Sequence, residues 1–523
     1  MTQTCNQKIA RAAGTVMIAI VLGQLAGLVR SVLVASSFPA HELDAFSAAN
    51  RVSETLFNLI AAGALGSAFL PTFTSLLVTE NRKAAWKLAS SLINLVTLIL
   101  ILAAALVSVF APQIVRYLLA PGLSADPAQF QLTIDLLRIQ SISAILFGAG
   151  GLVISILNAH QVFFVPQLTA AMYQLGLIFG ALVLRHWLGI YGLAWGVVIG
   201  SALFLLIQLP SLFKLNGEFS SSLGLANPDV HKVIQLMGPR VFGAAIVQLN
   251  FWVNTNLGSR MAEGSLISLA YGFMLMLMAQ AAIAQSVAIA AMPTFSAQHA
   301  LGQQDEMRSS LASALRGMFL MALPASLGLI MLAHPIVSML YQRGEFNALT
   351  AEMTAWALTW YAAGLVGHSI MEVLTRAFFA QHDTKTPVLI GTVAMLLNVV
   401  FSIGFSRLFS TLGWMPHGGL ALANSLATAL EAAALFLVMR KRLGGIEGRH
   451  IAQGLAYASI AGLGMSLALG LWLPLTGSLN RWLVGMGGVA VGGIVYGLIA
   501  LALRVPEIQS ITNLIRRFAR SRR

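Results

Sequence analysis

The chain consists of long apolar runs separated by short polar segments, and this pattern continues almost to the C-terminus. A helix needs roughly 20 apolar residues to cross a bilayer core of about 30 Å, because unpaired backbone groups are costly in hydrocarbon. The runs are too long and too uniformly apolar for the alternating strands of a membrane β-barrel. We therefore predict an all-α polytopic membrane protein with about fourteen transmembrane helices. The predicted helices lie near 14–36, 44–77, 86–110, 131–157, 165–183, 189–213, 233–261, 265–292, 311–340, 352–379, 387–409, 418–440, 451–473 and 481–503.

The composition excludes a soluble protein. Hydrophobic residues make up 58% of the 523 residues and charged residues only 9%, against roughly 25% charged residues in ordinary soluble domains. The one cysteine, Cys5, has no partner for an internal disulfide, and no pattern of zinc-binding or redox cysteines is present. The first apolar run lacks a small-residue cleavage site and many more runs follow it, so we predict a retained first helix.

The positions of the positive charges predict the orientation. Of the 31 Lys and Arg residues, 22 fall on one side of the predicted helices and 7 on the other, while Arg30 and Arg51 lie inside helices. Lys and Arg accumulate in the cytoplasmic loops of membrane proteins. We therefore expect both termini in the cytoplasm and the basic tail at 506–523 to contact anionic lipid headgroups. The net charge of +13 is explained in this way, and we expect no nucleic-acid partner.

An internal repeat predicts the architecture. Residues 68–74 (AFLPTFT) resemble residues 290–296 (AAMPTFS) at an offset of 222, and residues 111–115 resemble 333–337 at the same offset. Because an even number of predicted helices separates the copies, both copies cross the membrane in the same direction, as in transporters with parallel repeats. We predict two six-helix lobes in pseudo-two-fold relation, working by alternating access. The predicted domains are an N-lobe at 1–213, a cytoplasmic linker at 214–232, a C-lobe at 233–443, two further helices at 444–505 and a basic tail at 506–523.

Charged residues at membrane depth are candidates for binding the transported molecule. A charge near the bilayer centre costs about 2.5–3.5 kcal/mol on insertion scales, so such residues are rare unless they are functional. Arg30 lies in the first predicted helix, and Arg51 and Glu54 lie three residues apart on one face of the second. A guanidinium binds phosphate oxygens in two-point fashion, so the two arginines favour an anionic substrate. The alternative is that Arg30 extends to the outer interface and that Arg51 simply pairs with Glu54.

Other polar residues within helices are candidates for energy coupling. Glu431 is an isolated carboxylate that could carry a proton, and Asn254 and Asn398 could coordinate an ion through their amide oxygens, although buried amides also join helices. Glu372 and Arg376, spaced i,i+4, are predicted to form a structural ion pair. We predict no cofactor and no bound metal, with Na⁺, H⁺ or the membrane potential as energy source. No catalytic triad, P-loop or metal-ligand cluster is present, so we predict a transporter and not an enzyme.

Six short motifs spread over nearly the whole chain carry a family resemblance. They are 27–30 (GLVR), 44–46 (DAF), 63–71 (GALGSAFLP), 120–122 (APG), 343–346 (RGEF) and 376–387 (RAFFAQHDTKTP). Together they resemble the MurJ (MviN) family of lipid II flippases, within the multidrug/oligosaccharidyl-lipid/polysaccharide exporter superfamily. The last motif is the most specific, with Arg376, Asp383, Thr386 and Pro387.

The resemblance implies a flippase of the bacterial cytoplasmic (inner) membrane. It implies movement of undecaprenyl-diphosphate-linked peptidoglycan precursor from the inner to the outer leaflet for cell-wall synthesis, with the helices at 444–505 forming a groove for the lipid tail. Arg30 then corresponds to a family cavity arginine and Asp44 to a family acidic residue, which places Arg30, Arg51, Asp44 and Glu54 in the predicted substrate site. The implied partners are the lipid-linked oligosaccharide, membrane lipids and cell-wall synthesis proteins, and we expect a monomer.

The sequence departs from the family where other cavity arginines are usual. Gln24, Phe57 and Met274 stand at those positions, so the predicted cavity is less cationic than in the family. This leaves three alternatives open: an exporter of another polyprenyl-linked oligosaccharide, an ion-coupled exporter of drugs or organic cations, and a membrane scaffold without a substrate site.

Overall fold

A computed structural model describes residues 23–60, 69–79 and 81–505, and all regular secondary structure in these ranges is helical. This confirms the predicted all-helical class. Several features of the sequence analysis lie outside the described residues. These are Cys5, the start of the helix at 14–36, residues 63–68 of the motif at 63–71, and the basic tail at 506–523.

The first half of the described chain contains eight helices. They are α1 (23–37), α2 (Ala40–Ile60), α3 (Phe69–Val78), α4 (Arg82–Val109), α5 (Pro127–Ala159), α6 (Phe164–Leu188), α7 (Ile190–Phe213) and α8 (Pro228–Ser259). Short helical turns at Ala111–Gln113, Ile114–Leu119 and Pro121–Ala125 connect α4 to α5.

The second half contains nine helices. They are α9 (Ser265–Ala300), α10 (Gln304–Met331), α11 (Ala333–Leu340), α12 (Ala348–Ala363), α13 (Leu365–Ala380), α14 (Lys385–Thr411), α15 (His417–Arg442), α16 (Gly448–Thr476) and α17 (Arg481–Ala502). A break at Gly364 therefore divides the predicted helix at 352–379 into α12 and α13, and a break at Leu332 divides the predicted helix at 311–340 into α10 and α11.

Within the described residues, ten helices are long and apolar enough to cross a membrane, namely α4 to α7, α9, α10 and α14 to α17. The chain is thus a multi-pass membrane protein. Four predicted spans are not among the ten. The spans 14–36 and 44–77 lie partly outside the described residues, 233–261 is rich in amides, and α12 and α13 have only 16 residues each. The count of fourteen stays a prediction.

The helix bounds repeat at the offset found in the sequence. Helix α4 spans Arg82–Val109 and α10 spans Gln304–Met331, so both have 28 residues. The first and the last residue of α10 each lie 222 positions after those of α4. The next helical turns begin at Ala111 and Ala333, again 222 apart. In each copy a proline, Pro112 or Pro335, lies in the first turn after the break. The repeat is therefore present in local structure as well as in sequence.

The described chain forms two compact units. Among the described residues, unit 1 comprises those up to Leu266 together with Arg343–Phe346, and unit 2 comprises Ile267–Gln342 and those from Asn347 onwards. The core of unit 1 lies among α3, α4 and α5, with fully buried Phe69, Phe73 and Leu88. The core of unit 2 lies among α9, α10, α13 and α15, with fully buried Phe378 and Leu435. The lobe and domain boundaries given in the sequence analysis stay predictions.

Small residues bring α6 and α7 of unit 1 unusually close together. A Cβ atom added at Gly180 would lie 2.6 Å from the carbonyl oxygen of Gly192, and one added at Gly176 would overlap the backbone of Gly200. On α7, Gly196 lies between Gly192 and Gly200, and a Cβ atom added there would approach both Gly176 and Gly180 of α6. Membrane helices that pack through glycines at a spacing of four approach in this way, because dispersion contacts replace the missing hydrophobic driving force.

Candidate functional site

Arg51 forms the centre of a polar cluster on α2 in unit 1. Its Nη1 donates to Glu54 Oε2 at 2.9 Å, and Asn50 Nδ2 donates to Glu54 Oε1 at 2.7 Å. The predicted i,i+3 pair is therefore present, with side chains that are 23% exposed for Arg51 and 45% for Glu54. The Nε of Arg51 is buried and makes no hydrogen bond with the described residues. One donor of the guanidinium is thus left for another acceptor.

Helix α8 completes this cluster. The Arg51 guanidinium lies 5.0 Å from the centre of the Phe251 ring, a cation–π arrangement. Trp252 Nε1 donates to Thr55 Oγ1 at 2.8 Å, and Thr55 Oγ1 lies 3.3 Å from Gln248 Oε1. Sequence reasoning missed these α8 residues, because nearly 200 positions separate them from α2 and no local spacing connects the two helices.

Arg30 lies on α1, half-buried, in the same unit. The start of α1 packs on α6, since a Cβ added at Gly23 would lie 3.7 Å from Cβ of Ala170.

Phe57, at a position where the family resemblance leads us to expect an arginine, belongs to an aromatic cluster. Its ring lies 5.0 Å from that of Phe147, and Phe147 contacts Tyr173 at 5.1 Å and Phe204 at 5.2 Å. The position is thus filled by packing, and Phe57 contributes no positive charge to the site.

Asp44, also predicted to bind substrate, is 3% exposed and accepts a hydrogen bond of 2.7 Å from the backbone N–H of Gly264. Gly264 has a positive φ of 86° in the turn between α8 and α9. Next to it, His41 and Glu263 form an exposed ion pair with an N···O distance of 3.4 Å. The structure thus places Asp44 where it fixes the turn that precedes α9.

The motif at 376–387 forms the turn into α14. Asp383 Oδ1 accepts from the N–H groups of Lys385 and Thr386, both at 3.0 Å, and Oδ2 accepts from Thr386 Oγ1 at 2.6 Å and from Arg442 Nη2 at 2.7 Å. Hydrogen bonds from Thr386 and the Arg442 guanidinium hold the pKa of the Asp383 carboxyl well below its usual range. Pro387 is buried in the first turn of the helix. Glu372 and Arg376 form the predicted pair at 3.0 Å.

The three coupling candidates lie apart in the chain. Asn254 Nδ2 lies 3.3 Å from Asn250 Oδ1 on α8 in unit 1. Asn398 on α14 is 1% exposed and its Oδ1 accepts from Ser402 Oγ at 3.0 Å. Glu431 on α15 is 9% exposed, and its Oε1 lies where a Cβ at Gly391 would approach to 3.0 Å. Both Asn398 and Glu431 belong to unit 2.

Unit 2 also contains an apolar groove of about 510 Å³. Helices α10, α12, α13, α15 and the start of α16 line it. The lining residues are Leu315, Phe319, Ala363, Val366, Gly367, Ile370, Ala429, Ala432, Ala433, Phe436, Leu437 and Ile451. None of these side chains is polar, so the groove suits an apolar occupant.

Comparison with known proteins identifies the family. The model of the family described as lipid II flippase MurJ matches residues 35–487. The lipid II flippase MurJ of Burkholderia cenocepacia is 30% identical over 431 residues, covering 80% of this chain and 82% of that protein. The probable lipid II flippase MurJ of Vibrio cholerae is 28% identical over 535 residues, covering 98% and 99%.

Solved structures agree in fold. A lipid II flippase MurJ in an inward closed conformation has a TM-score of 0.79 at 24% identity, covering 94% of this chain and 99% of that one. An inward-facing multidrug transporter of the MATE family has a TM-score of 0.65 at 12% identity, covering 81% and 94%. The motifs and the matches agree, and the chain belongs to the lipid II flippase MurJ family.

Proposed function

We propose that this chain is a flippase that moves lipid II, the undecaprenyl-diphosphate-linked peptidoglycan precursor, from the inner to the outer leaflet of the bacterial inner membrane. The observation that carries the proposal is the family match over residues 35–487, which includes the α2 cluster around Arg51. A diphosphate and its sugars cannot enter hydrocarbon without a large desolvation cost, whereas a polyprenyl tail can remain in lipid. The protein therefore has to shield only the headgroup.

Arg51 and Arg30 are the groups that we assign to the diphosphate. Glu54 and Phe251 hold the Arg51 guanidinium in place, and its buried Nε still lacks an acceptor among the described residues. The Arg51 side chain is 23% exposed, so a phosphate oxygen can approach the outer N–H groups of the guanidinium, and a charge-assisted hydrogen bond of this kind is about twice as strong as a neutral one. Glu54 is then a positioning residue, and Asp44 acts through the Gly264 turn and not on the substrate.

The apolar groove of unit 2 is the proposed site of the lipid tail. Its volume of about 510 Å³ and its apolar lining fit part of a branched hydrocarbon chain, and Ile451 brings the first of the two C-terminal helices into its wall.

The remaining features of the proposal follow the sequence. They are lobes at 1–213 and 233–443 that work by alternating access, both termini in the cytoplasm, a monomeric protein, and association with cell-wall synthesis proteins.

The coupling site is assigned to the buried carboxylate. Glu431 is 9% exposed, whereas the amides of Asn254 and Asn398 already bond to Asn250 and Ser402. A carboxylate in the interior of a membrane protein is costly unless it binds a cation or a proton. Glu431 is therefore the first candidate for coupling, and the two asparagines are the second.

Complementation tests the function and the arginine roles together. In a bacterium depleted of its own lipid II flippase, the unaltered chain should restore growth, while Arg30→Ala and Arg51→Ala should not. Arg138→Ala is the matched control, because Arg138 also pairs with a carboxylate three residues away, Asp135, at 3.6 Å. Membrane insertion of every variant is measured alongside. Growth with Arg51→Ala would contradict the assignment, whether or not Arg138→Ala also restores growth.

One observation favours a second candidate, an exporter of another polyprenyl-linked oligosaccharide. Phe57 packs against Phe147 where the family usually has an arginine, so the site carries fewer positive charges. Aromatic side chains also offer apolar surface to sugar rings. If the unaltered chain inserts into the membrane but fails to restore growth, this candidate is preferred. A drug or cation exporter would instead show cation efflux that requires Glu431.

A further inference from the structure

The segment that connects α7 to α8 is bonded to the first turns of α4. Residues 216–224 of this segment have no regular secondary structure. Asn94 Nδ2 on α4 donates to the carbonyl oxygens of Ser220 at 2.9 Å and of Ser222 at 3.0 Å. On the preceding turn of α4, Ser90 Oγ accepts the N–H of Ser220 at 3.1 Å. The connection between the two predicted lobes is therefore attached to α4 over several residues.

Two glycines allow this segment to approach α4 closely. A Cβ atom added at Gly217 would overlap the indole ring of Trp86, and one added at Gly224 would overlap the side chain of Ser91. Gly224 also has a positive φ of 62°, which glycine adopts without strain. The segment thus fits the surface of α4 by shape as well as by hydrogen bonds.

Side chains of the protein also satisfy backbone groups of the segment. The N–H of Ser222 donates to Ser220 Oγ at 3.3 Å, and the N–H of Gly224 donates to Ser222 Oγ at 3.1 Å. Irregular backbone is tolerated at membrane depth only where protein or a water-filled cavity supplies its hydrogen-bond partners. The bonds within the segment and to α4 therefore allow this backbone to lie where water is scarce.

The length of α4 indicates how deep the segment lies. Helix α4 spans Arg82–Val109 and is apolar enough to cross a membrane. A bilayer core of about 30 Å corresponds to about 20 helical residues at a rise of about 1.5 Å per residue. Counted back from Val109, about 20 residues place the near boundary of the hydrocarbon around Ser90. The two α4 side chains that hold the segment, Ser90 and Asn94, therefore lie at this boundary.

Three large apolar side chains of the segment are exposed at the same level. Phe213 is 71% exposed, Phe219 62% and Leu225 60%. Apolar surface gains free energy when it is removed from water, so this exposure is unfavourable if the segment faces solvent. At the boundary between headgroups and acyl chains, lipid covers such side chains while the polar backbone stays on the protein.

Basic side chains surround these apolar groups. The exposed bases at the start of α4 and in the segment are Arg82, Lys83, Lys87 and Lys214. Arg82 also donates to the carbonyl oxygen of Leu215, which joins its charge to the segment. Glu218 is the one acidic residue in the stretches 82–87 and 213–225 of the sequence. Bases close to a membrane surface are attracted to anionic headgroups.

We propose that residues 213–225 form a membrane-bound strap, with Phe213, Phe219 and Leu225 inserted among the lipids at the surface where α4 begins. The partner is a bilayer surface with anionic headgroups, which the bases of α4 attract. Because α8 begins at Pro228, directly after the strap, the strap fixes the level at which α8 starts. Helix α8 carries Phe251 and Trp252 of the α2 cluster, so the strap is a positioning element for that site.

The test measures the depth of spin labels in the full-length chain. Cys5 is the one cysteine, so Cys5→Ser combined with Phe219→Cys or Leu225→Cys leaves one labelling site. The reference sites are Leu102→Cys, on the exposed apolar face of α4, and Gln303→Cys, in the exposed turn between α9 and α10. In vesicles of phosphatidylethanolamine and phosphatidylglycerol, the collision rates of each label with oxygen and with a water-soluble nickel chelate are compared.

We expect the ratio of oxygen to nickel collisions at 219 and 225 to be close to the ratio at 102 and well above that at 303. A ratio at 219 and 225 equal to that at 303 would overturn the proposal, because the strap would then face water. Low collision rates with both reagents would indicate a covering of protein and would overturn it as well. The measurement needs no lipid II, so its failure and the failure of complementation are distinguishable.

The attachment to α4 is tested by Asn94→Ala with the label at 219. Loss of two hydrogen bonds should release the strap and narrow the spectrum of the label. Ser108→Ala is the control, because Ser108 lies at the other end of α4 and its Oγ donates to the carbonyl oxygen of Ala104 at 2.8 Å. If Asn94→Ala does not accumulate, Ser90→Ala removes a single bond and serves instead. A spectrum as broad as that of Ser108→Ala would overturn the attachment.

Discussion

The carboxylate of Asp44 on α2 accepts the backbone N–H of Gly264, 220 residues later in the chain, at 2.7 Å and with Asp44 only 3% exposed. A buried carboxylate that holds one backbone turn has a clear energetic consequence. Its removal leaves the buried Gly264 N–H without this acceptor.

Asp44→Ala should therefore lower the stability of the protein. The loss should be about 1–3 kcal/mol, the cost of leaving a buried polar group unsatisfied. Thermal unfolding of the purified protein in detergent measures it. Glu263→Gln is the control, because the His41–Glu263 pair beside the turn is exposed and such pairs contribute little. Equal midpoints for the two variants would contradict the structural role of Asp44.

Gly344→Ala should destabilise the segment 343–346 of unit 1. Gly344 has a φ of +58°, its Cβ would overlap the carbonyl oxygen of Ser36, and the neighbouring Glu345 N–H donates to that oxygen at 3.2 Å. The matched control is Gly413→Ala, where φ is +73° but nothing lies within 4 Å of the added atom. Both variants carry the backbone strain of about 1 kcal/mol. Only Gly344→Ala adds a collision, so its unfolding midpoint should be the lower of the two.

Gly176→Ala should separate α6 from α7. An added methyl group overlaps the backbone of Gly200, and overpacking of this kind typically costs about 1–3 kcal/mol. Gly470→Ala on α16 is the control, since nothing lies within 4 Å of its Cβ. There the substitution should be neutral or stabilising by about 0.5–1 kcal/mol, as alanine favours the helix. Unfolding midpoints that change in the same direction would contradict the close packing of the two helices.

Asp383→Asn should remove a pH-dependent part of the stability. Asparagine can still accept the N–H groups of Lys385 and Thr386 but loses the ion pair with Arg442, which is 2.7 Å long. The pKa of Asp383 is lower in the folded chain than its usual 3.8, so the carboxylate stabilises the protein above that value and stops doing so as the pH falls through the folded value. The difference in midpoint between the two proteins should be constant near neutral pH and shrink below about pH 4.

The control for this prediction is Asp126→Asn. Asp126 also caps a helix, α5, by accepting the N–H of Ala128 at 2.9 Å. Its substitution should lower the midpoint at neutral pH by less than Asp383→Asn does. If the difference in unfolding midpoint between the unaltered chain and Asp383→Asn persists unchanged at acid pH, the ion pair with Arg442 is not the source of that difference.

Hydrophobic runs and local spacing predicted most of the fold and the local part of the site. Runs of about twenty apolar residues located the long helices because the bilayer sets their length, and the i,i+3 spacing predicted the Arg51–Glu54 pair. The glycines of α7, at 192, 196 and 200, carried a readable packing signal, since their spacing of four places them on one helix face.

Contacts between distant segments could not be predicted from one sequence. Trp252 and Thr55 are 197 residues apart, and only the packing of α8 on α2 brings them to 2.8 Å. The role of Asp44 was likewise hidden, because a buried acidic residue at a helix start fits substrate binding and turn capping equally well in the sequence. The break at Gly364 between α12 and α13 lies against Ser425, 61 residues later in the chain, and this contact could not be read from the sequence either.

Transport of lipid II in reconstituted vesicles tests the central claim most directly. The protein is placed in liposomes with fluorescent lipid II, and the fraction that reaches the opposite leaflet is measured by access of an impermeant quencher. We predict transport by the unaltered chain and by Arg138→Ala, and loss of transport with Arg51→Ala. No transport by the correctly folded chain, or equal transport by Arg51→Ala, would contradict the account.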